Sequence, residues 1–258
     1  FLDLVGIIPV IGILKYSDEF ATLLKKSNKM YYNAVTDSID DCYVDGKIIK
    51  SEDEINKIFG DNAKRYIKIA DDLEELKDIT KASENYGEIV ASLGKFDFKN
   101  ADDPDVYALI ENVVCNKNLS TSEIASLKRE IAERGGWIGK YYNSDMSAKW
   151  PSNGGFTHPL TDSDIITLQP GTVIDRYGYV GGSYLSPINT PYKARAVEPG
   201  TISKPYNVYV VKEPIRVYAG EVAPWFGMPG GGTQYYLGDG ITVQLLLEGS
   251  NPKLEVLK

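Results

Sequence analysis

The sequence predicts an α+β protein, a helical N-terminal region followed by a β-rich, mainly antiparallel domain, and three observations carry that expectation. Eleven of the 13 prolines and 15 of the 24 glycines lie from Pro151 onward. Apolar residues recur at helical spacing up to about residue 140 and fall into short breaker-bounded runs after it. Charge divides at the same place: residues 151–258 hold 9 acidic and 8 basic side chains, whereas residues 1–150 hold 27 and 20. The grammar changes between Gly136 and Trp150, which sets expected domains at 1–136, a delivery or linking region, and 137–258.

In the first region, Ser17 suits an N-cap ahead of Phe20, Leu23, Leu24, Met30 and Tyr31. Ser51 and Glu54 make a capping box before an apolar series from Ile55 to Leu73, with Gly60 as an interruption. Ile79 to Leu93 reads as helix up to Gly94, and Pro104 opens another over Val106 to Cys115. Ser120 and Glu123 repeat the capping box, Ile124, Leu127 and Ile131 share a face, and Gly135-Gly136 stops the run. The acidic segment Asp71 to Leu76 lacks calcium-loop spacing and reads as a solvated helix face. Beyond Trp137, Asn153-Gly154-Gly155 belongs to an irregular lead-in. Strands are expected at Thr172–Asp175, Val208–Val211, Ile215–Tyr218, Gln234–Leu237 and Val243–Leu247, and the C-terminal GITVQLLLEGSNPKLEVL reads as a strand, a short helix and a final strand.

Composition removes several functional classes. A net charge of -8 with no Lys/Arg run argues against nucleic-acid binding. His158 is the only histidine and the two cysteines form no C-x-x-C, which argues against a zinc site or a Ser-His-Asp triad. Cys42 and Cys115 read as two free thiols, one bridge being the alternative. The opening FLDLVGIIPVIGIL is too short to span a bilayer and lacks the features of a signal peptide, so no membrane insertion is expected of it. A chain opening on Phe reads as part of something longer.

Four motifs follow one another in the second region: LQPGTVIDRYG (Leu168 to Gly178), GGSYLSP (Gly181 to Pro187), PYNVYVV (Pro205 to Val211) and APWFGMPGGGTQY (Ala223 to Tyr235). On their own terms, Arg176 offers a planar fork for phosphate or a partner for a carboxylate. Tyr184 beside Gly181-Gly182 is a ring-stacking residue or a cover over the core. Trp225 and Phe226 sit in a loop of Pro and Gly too costly to order as mere filler. No βαβ unit surrounds that loop, so it is not a Rossmann phosphate turn.

In order and spacing these motifs resemble the tuberculosis necrotizing toxin family of NAD glycohydrolases. The resemblance spans roughly Trp150 to Leu257 and implies a compact α+β domain related to the ADP-ribosyltransferase architecture, with NAD between two antiparallel sheets. It implies a secreted bacterial toxin that hydrolyses NAD to nicotinamide and ADP-ribose in the target cell's cytoplasm. NAD is then the substrate, NADP an open alternative, no cofactor or metal is used, and a cognate immunity protein is a partner. By family position Gln234, Arg176, Tyr184 and Asn207 are the candidate catalytic residues, with Ser183, Gly182, Trp225, Phe226 and Gly232 on the substrate. Asn207 departs from the family, which often reads PYHVY here, and an amide cannot carry a proton at neutral pH. The chemistry tolerates one histidine and no carboxylate pair, because the nicotinamide of NAD is a cationic leaving group that departs neutral. The rivals are a mono-ADP-ribosyltransferase, for which Glu221 is the nearest acceptor-side carboxylate, and a non-catalytic β-domain that binds a carbohydrate or protein.

Overall fold

A computed structural model describes residues 30–33, 38–44, 47–48 and 61–257. The opening apolar stretch, the expected Ser17 cap and the expected Ser51–Glu54 capping box lie outside them. The chain divides into two compact units, Phe1–Asp102 and Asp103–Lys258.

In the first unit, β1 (Met30–Asn33), β2 (Ser38–Val44) and β3 (Lys47–Ile48) form an antiparallel sheet. Met30 and Tyr31, expected on a helix, are therefore in a strand. The sequence there reads MYYN and SIDDCYV, rich in β-branched and aromatic residues, and that preference outweighs a loose helical spacing. Helix α1 (Asp61–Ala82) buries Leu73 and Leu76 and leaves Glu74 and Glu75 exposed, a solvated acidic face. Helix α2 (Tyr86–Lys95) follows after a break at residues 83–85, where the Asn85 side chain accepts from the Glu88 amide. The single run expected over Ile79–Leu93 is thus two helices.

The second unit begins with α3 (Asp103–Cys115) and α4 (Thr121–Arg134). The capping box at Ser120 and Glu123 forms in both directions, and Gly135 ends α4. These helices pack into the β domain. Glu111 accepts from the Tyr192 hydroxyl (3.2 Å) and the Gly200 amide (3.3 Å), and Lys128 pairs with Glu198 at 2.9 Å. The boundary expected at residues 136 and 137 therefore falls inside a compact unit, because helical periodicity shows which face is apolar but not what covers it. A fragment of residues 103–258 is expected to unfold in one cooperative thermal transition. Residues 137–258 alone, stripped of the buried Leu109, Ile110, Leu127 and Ile131, should lose near-ultraviolet dichroism and bind a hydrophobic dye. Equal melting temperatures for the two fragments would show that the helices contribute nothing.

The β domain is one continuous seven-stranded antiparallel sheet, not two separate sheets. Its strands are β4 (Ile165–Leu168), β5 (Val173–Tyr177), β6 (Tyr184–Pro187), β7 (Tyr206–Val211), β8 (Ile215–Glu221), β9 (Thr233–Tyr236) and β10 (Leu254–Leu257). The order across the sheet is β10-β7-β5-β6-β9-β8-β4. One face buries Ile174, Leu185, Tyr209, Val211, Ile215 and Val217. Val243–Leu247 is helix α5, capped by the Thr242 side chain on the Leu245 amide. Strands β4 and β6 were not among those expected. Both are only four residues long, too short for alternation to stand out.

Candidate active site

Strand alternation decides which motif residues can meet. In β5, Ile174 faces the core and Asp175 and Tyr177 turn to the opposite side, where the register aligns Asp175 with Ser186 of β6. On that side the sheet also carries Tyr184, Tyr218, Gly220, Gln234 and Tyr236, through the pairings Tyr184↔Tyr236, Tyr218↔Tyr236 and Gly220↔Gln234. A cavity of about 70 Å³ lies here, lined by residues that include Tyr184, Ser186, Arg195, Val222 and Gln234.

Three of the expected catalytic residues, Gln234, Tyr184 and Arg176, line it, and the first two meet at Gly154. The Gln234 Nε2 donates to the Gly154 carbonyl at 3.4 Å, and the Tyr184 hydroxyl lies so near Gly154 that a Cβ there would stand 3.1 Å from it. The residues that bring them this partner were read only as lead-in. Asn153, Gly154 and Gly155 all take positive φ (58°, 65° and 88°), and the tight turn delivers Phe156 onto the sheet over Gly220, whose missing side chain leaves the room. Phe156 is fully buried, 6.5 Å from the Tyr184 ring. The Asn-Gly-Gly triplet was the available signal.

Arg176 lines the cavity with its fork held by backbone carbonyls. Its Nε donates to the Tyr179 carbonyl (3.0 Å) and its Nη1 to the Tyr184 carbonyl (2.6 Å), so the fork ties β5 to the loop that leads into β6. Burial lowers the pKa of the guanidinium from its ordinary value, with a smaller opposing contribution from Tyr209. Gly182 is the cover on this arginine: a Cβ there would stand 1.9 Å from Nη2. Gly182→Ala is therefore expected to behave as a loop-opening lesion, lowering the melting temperature and loosening Tyr184, whereas Gly181→Ala, with open space at its Cβ, should be neutral. Calorimetry of the two variants decides it. Ser183 supplies its carbonyl to the Leu237 amide (3.0 Å). Asn207 lies opposite Arg176 in the β5–β7 register, and its Nδ2 donates to the Gly178 carbonyl (3.1 Å), bracing the Gly178 turn.

Trp225, Phe226 and Gly232 do not line the cavity. Phe226 has no exposed surface, takes φ 50°, and packs against Trp137, Tyr141 and Tyr142 at centroid distances of 6.1, 5.5 and 5.9 Å. Trp225 donates from Nε1 to the Lys149 carbonyl (2.7 Å) and meets Tyr141 edge-on. The two aromatics hold the loop to the lead-in, because their partners, distant in sequence, fold over them. Gly232 is small for the backbone's sake: a Cβ would stand 2.7 Å from the Ala194 carbonyl.

What sequence reading missed is the ion pair behind the wall. Asp175 has no exposed surface and Arg195 is 9% exposed; they meet at 2.6 and 2.9 Å, with the Tyr206 hydroxyl donating to Asp175 at 2.8 Å. Arg195 also donates to the Thr190 carbonyl and lies 5.3 Å over the Tyr177 ring. Tyr177 thus belongs to the cavity's lining and supports Arg195. The His158 Nδ1 lies 3.1 Å from the neighbouring Pro159 carbonyl and donates to it when it carries the proton.

Fold and cavity together define an α+β domain whose antiparallel sheet offers a small polar site with a neutral amide, a phenol and a paired guanidinium, and with no carboxylate pair. Residues 167–251 match the family model of the tuberculosis necrotizing toxin, the family that the motifs resemble. The conidial surface nicotinamide adenine dinucleotide glycohydrolase nadA of Aspergillus fumigatus is 35% identical over 96 residues, 33% of this chain and 41% of that protein. The chain thus spans less than half the length of this curated relative. Among solved structures, tuberculosis necrotizing toxin complexed with its immunity factor is 24% identical, with 40% of this chain and 59% of that one covered and a TM-score of 0.33. Rhs1-CT in complex with its cognate immunity protein is 18% identical, with 40% and 83% covered and a TM-score of 0.29.

Proposed function

We propose that this chain hydrolyses NAD to nicotinamide and ADP-ribose and acts as a secreted toxin that depletes the NAD of a target cell. The observation that carries this reading is the meeting of Gln234 and Tyr184 on one cavity wall within the segment that matches the toxin family. A cavity of about 70 Å³ is far below the several hundred Å³ of a site that encloses a cofactor-sized ligand, so it suits one end of the dinucleotide. Breaking the bond from ribose to the pyridinium releases a neutral base and leaves an oxocarbenium-like sugar. The protein has to orient that sugar, favour its developing charge and admit water. Gln234, held at Nε2 by Gly154, presents its amide oxygen as an acceptor for a ribose hydroxyl or the attacking water. Tyr184 bounds the sugar, and the Asp175–Arg195 pair fixes the wall behind it.

The reading includes no cofactor, and a cognate immunity protein that covers the site. Among the described residues no helix is long and apolar enough to cross a membrane. Incubation of the full chain with NAD and an acceptor extract, with nicotinamide, ADP-ribose and labelled protein resolved, tests it. Nicotinamide and ADP-ribose in equal amounts is the expected result. Nicotinamide with labelled protein indicates transferase chemistry, and no nicotinamide indicates a binding domain.

A further inference from the structure

We infer that a cross-strand row of tyrosines beside the cavity is the purine subsite of the dinucleotide, an inference that rests on the NAD reading. Tyr184 of β6, Tyr236 of β9 and Tyr218 of β8 occupy the same register line on three neighbouring strands. Tyr184 and Tyr236 stack at 4.8 Å and 22°, and Tyr236 and Tyr218 at 6.2 Å and 29°. All three are half-buried on the side of the sheet that carries Gln234. The row starts on the cavity wall, at Tyr184, and leads away from it.

Three features make this row more than packing. First, its order is fixed: the Tyr236 hydroxyl donates to the Asp239 carboxylate, and that hydrogen bond pushes the Tyr236 pKa up to about 12, so the phenol stays neutral and aimed. Second, the row has two distinct ends: Tyr184 lines the cavity, whereas Tyr218 lies outside it, with Ile165 of β4 as its next cross-strand neighbour. Third, the length is right. Strand spacings of about 4.8 Å put Tyr218 about 10 Å from Tyr184, the order of distance across a diphosphate from a ribose in the cavity to the second base. Aromatic side chains at the end of such a row bind bases by stacking without reading their edges. The small cavity takes the nicotinamide ribose end, and the outer tyrosines take the adenine.

The test compares NAD with nicotinamide mononucleotide, which has the same scissile bond and no adenosine. For the full chain, kcat/KM for NAD is expected to exceed that for the mononucleotide. In Tyr218→Ala the NAD-to-mononucleotide ratio should fall about tenfold, equivalent to about 1.4 kcal/mol, with the loss in KM. Tyr218→Phe, which keeps the ring, should restore it. A ratio within twofold of the unsubstituted chain in Tyr218→Ala overturns the subsite while leaving the NAD reading standing. If the unsubstituted chain cleaves neither compound, the NAD reading fails, and calorimetric binding of ADP-ribose decides the subsite by itself. Tenfold weaker ADP-ribose binding by Tyr218→Ala supports it, and equal affinity or no binding by the unsubstituted chain overturns it.

Discussion

Gln234→Ala is expected to leave the fold intact and to lower kcat for NAD hydrolysis by about 10²-fold or more, the scale seen when one preorganised polar group at a developing charge is removed. The position explains why the loss should fall on chemistry and spare the fold. Gln234 is half-buried on a sheet face, and its side-chain hydrogen bond is the long 3.4 Å one to the Gly154 carbonyl. Truncation therefore costs little packing. Its strand neighbours Tyr235 and Tyr236 keep their pairing with β6 and β8, so the cavity should survive with one wall group missing. Steady-state kinetics with a circular dichroism control checks it, and near-unchanged turnover would remove Gln234 from the site.

Phe226→Ala is expected to produce the largest loss of stability of any single truncation in the β domain, about 3–5 kcal/mol, as for large aromatic residues removed from cores. The side chain is fully buried among Trp137, Tyr141, Tyr142 and Trp150, rigid rings that cannot collapse into the space it leaves. Its left-handed φ of 50° adds a second expectation. Alanine there keeps the backbone strain while losing the packing that holds it, so little of the cost is recovered. Thermal unfolding should shift down by roughly 10 °C. A shift of a degree or two would mean that the aromatic cluster is loosely packed and that Phe226 is free to turn toward a ligand.

The sequence made some of this legible and hid the rest for identifiable reasons. The α+β class followed from punctuation and periodicity, and the capping box at Ser120 fixed the start of α4 to the residue, because both are local properties. The motif resemblance points to Gln234, Tyr184 and Arg176, and all three line one cavity. Trp225 and Phe226 misled, since an aromatic residue in a Gly/Pro loop looks like a ligand contact until its distant partners are known. The Asp175–Arg195 pair was illegible for the same reason: its members lie twenty residues apart, and only the fold brings them together. Val243–Leu247 shows the limit of short apolar runs, which fit a strand or a helical turn equally until the Thr242 cap decides.

The clasp between the lead-in and the Gly-rich loop has a consequence for how this molecule comes into being. Trp137 meets Phe226 across 89 residues, Trp225 bonds Lys149 across 76, Glu111 bonds Gly200 across 89, and the final strand β10 completes the sheet edge on β7. Contacts so far apart along the chain repay the entropy of closing their loops only when nearly the whole length is present. While its tail is withheld, on a ribosome or in a narrow pore, the polypeptide has helices and hairpins but no assembled interior. Order then arrives late and all at once, and the cavity stays unformed until β10 is free to dock.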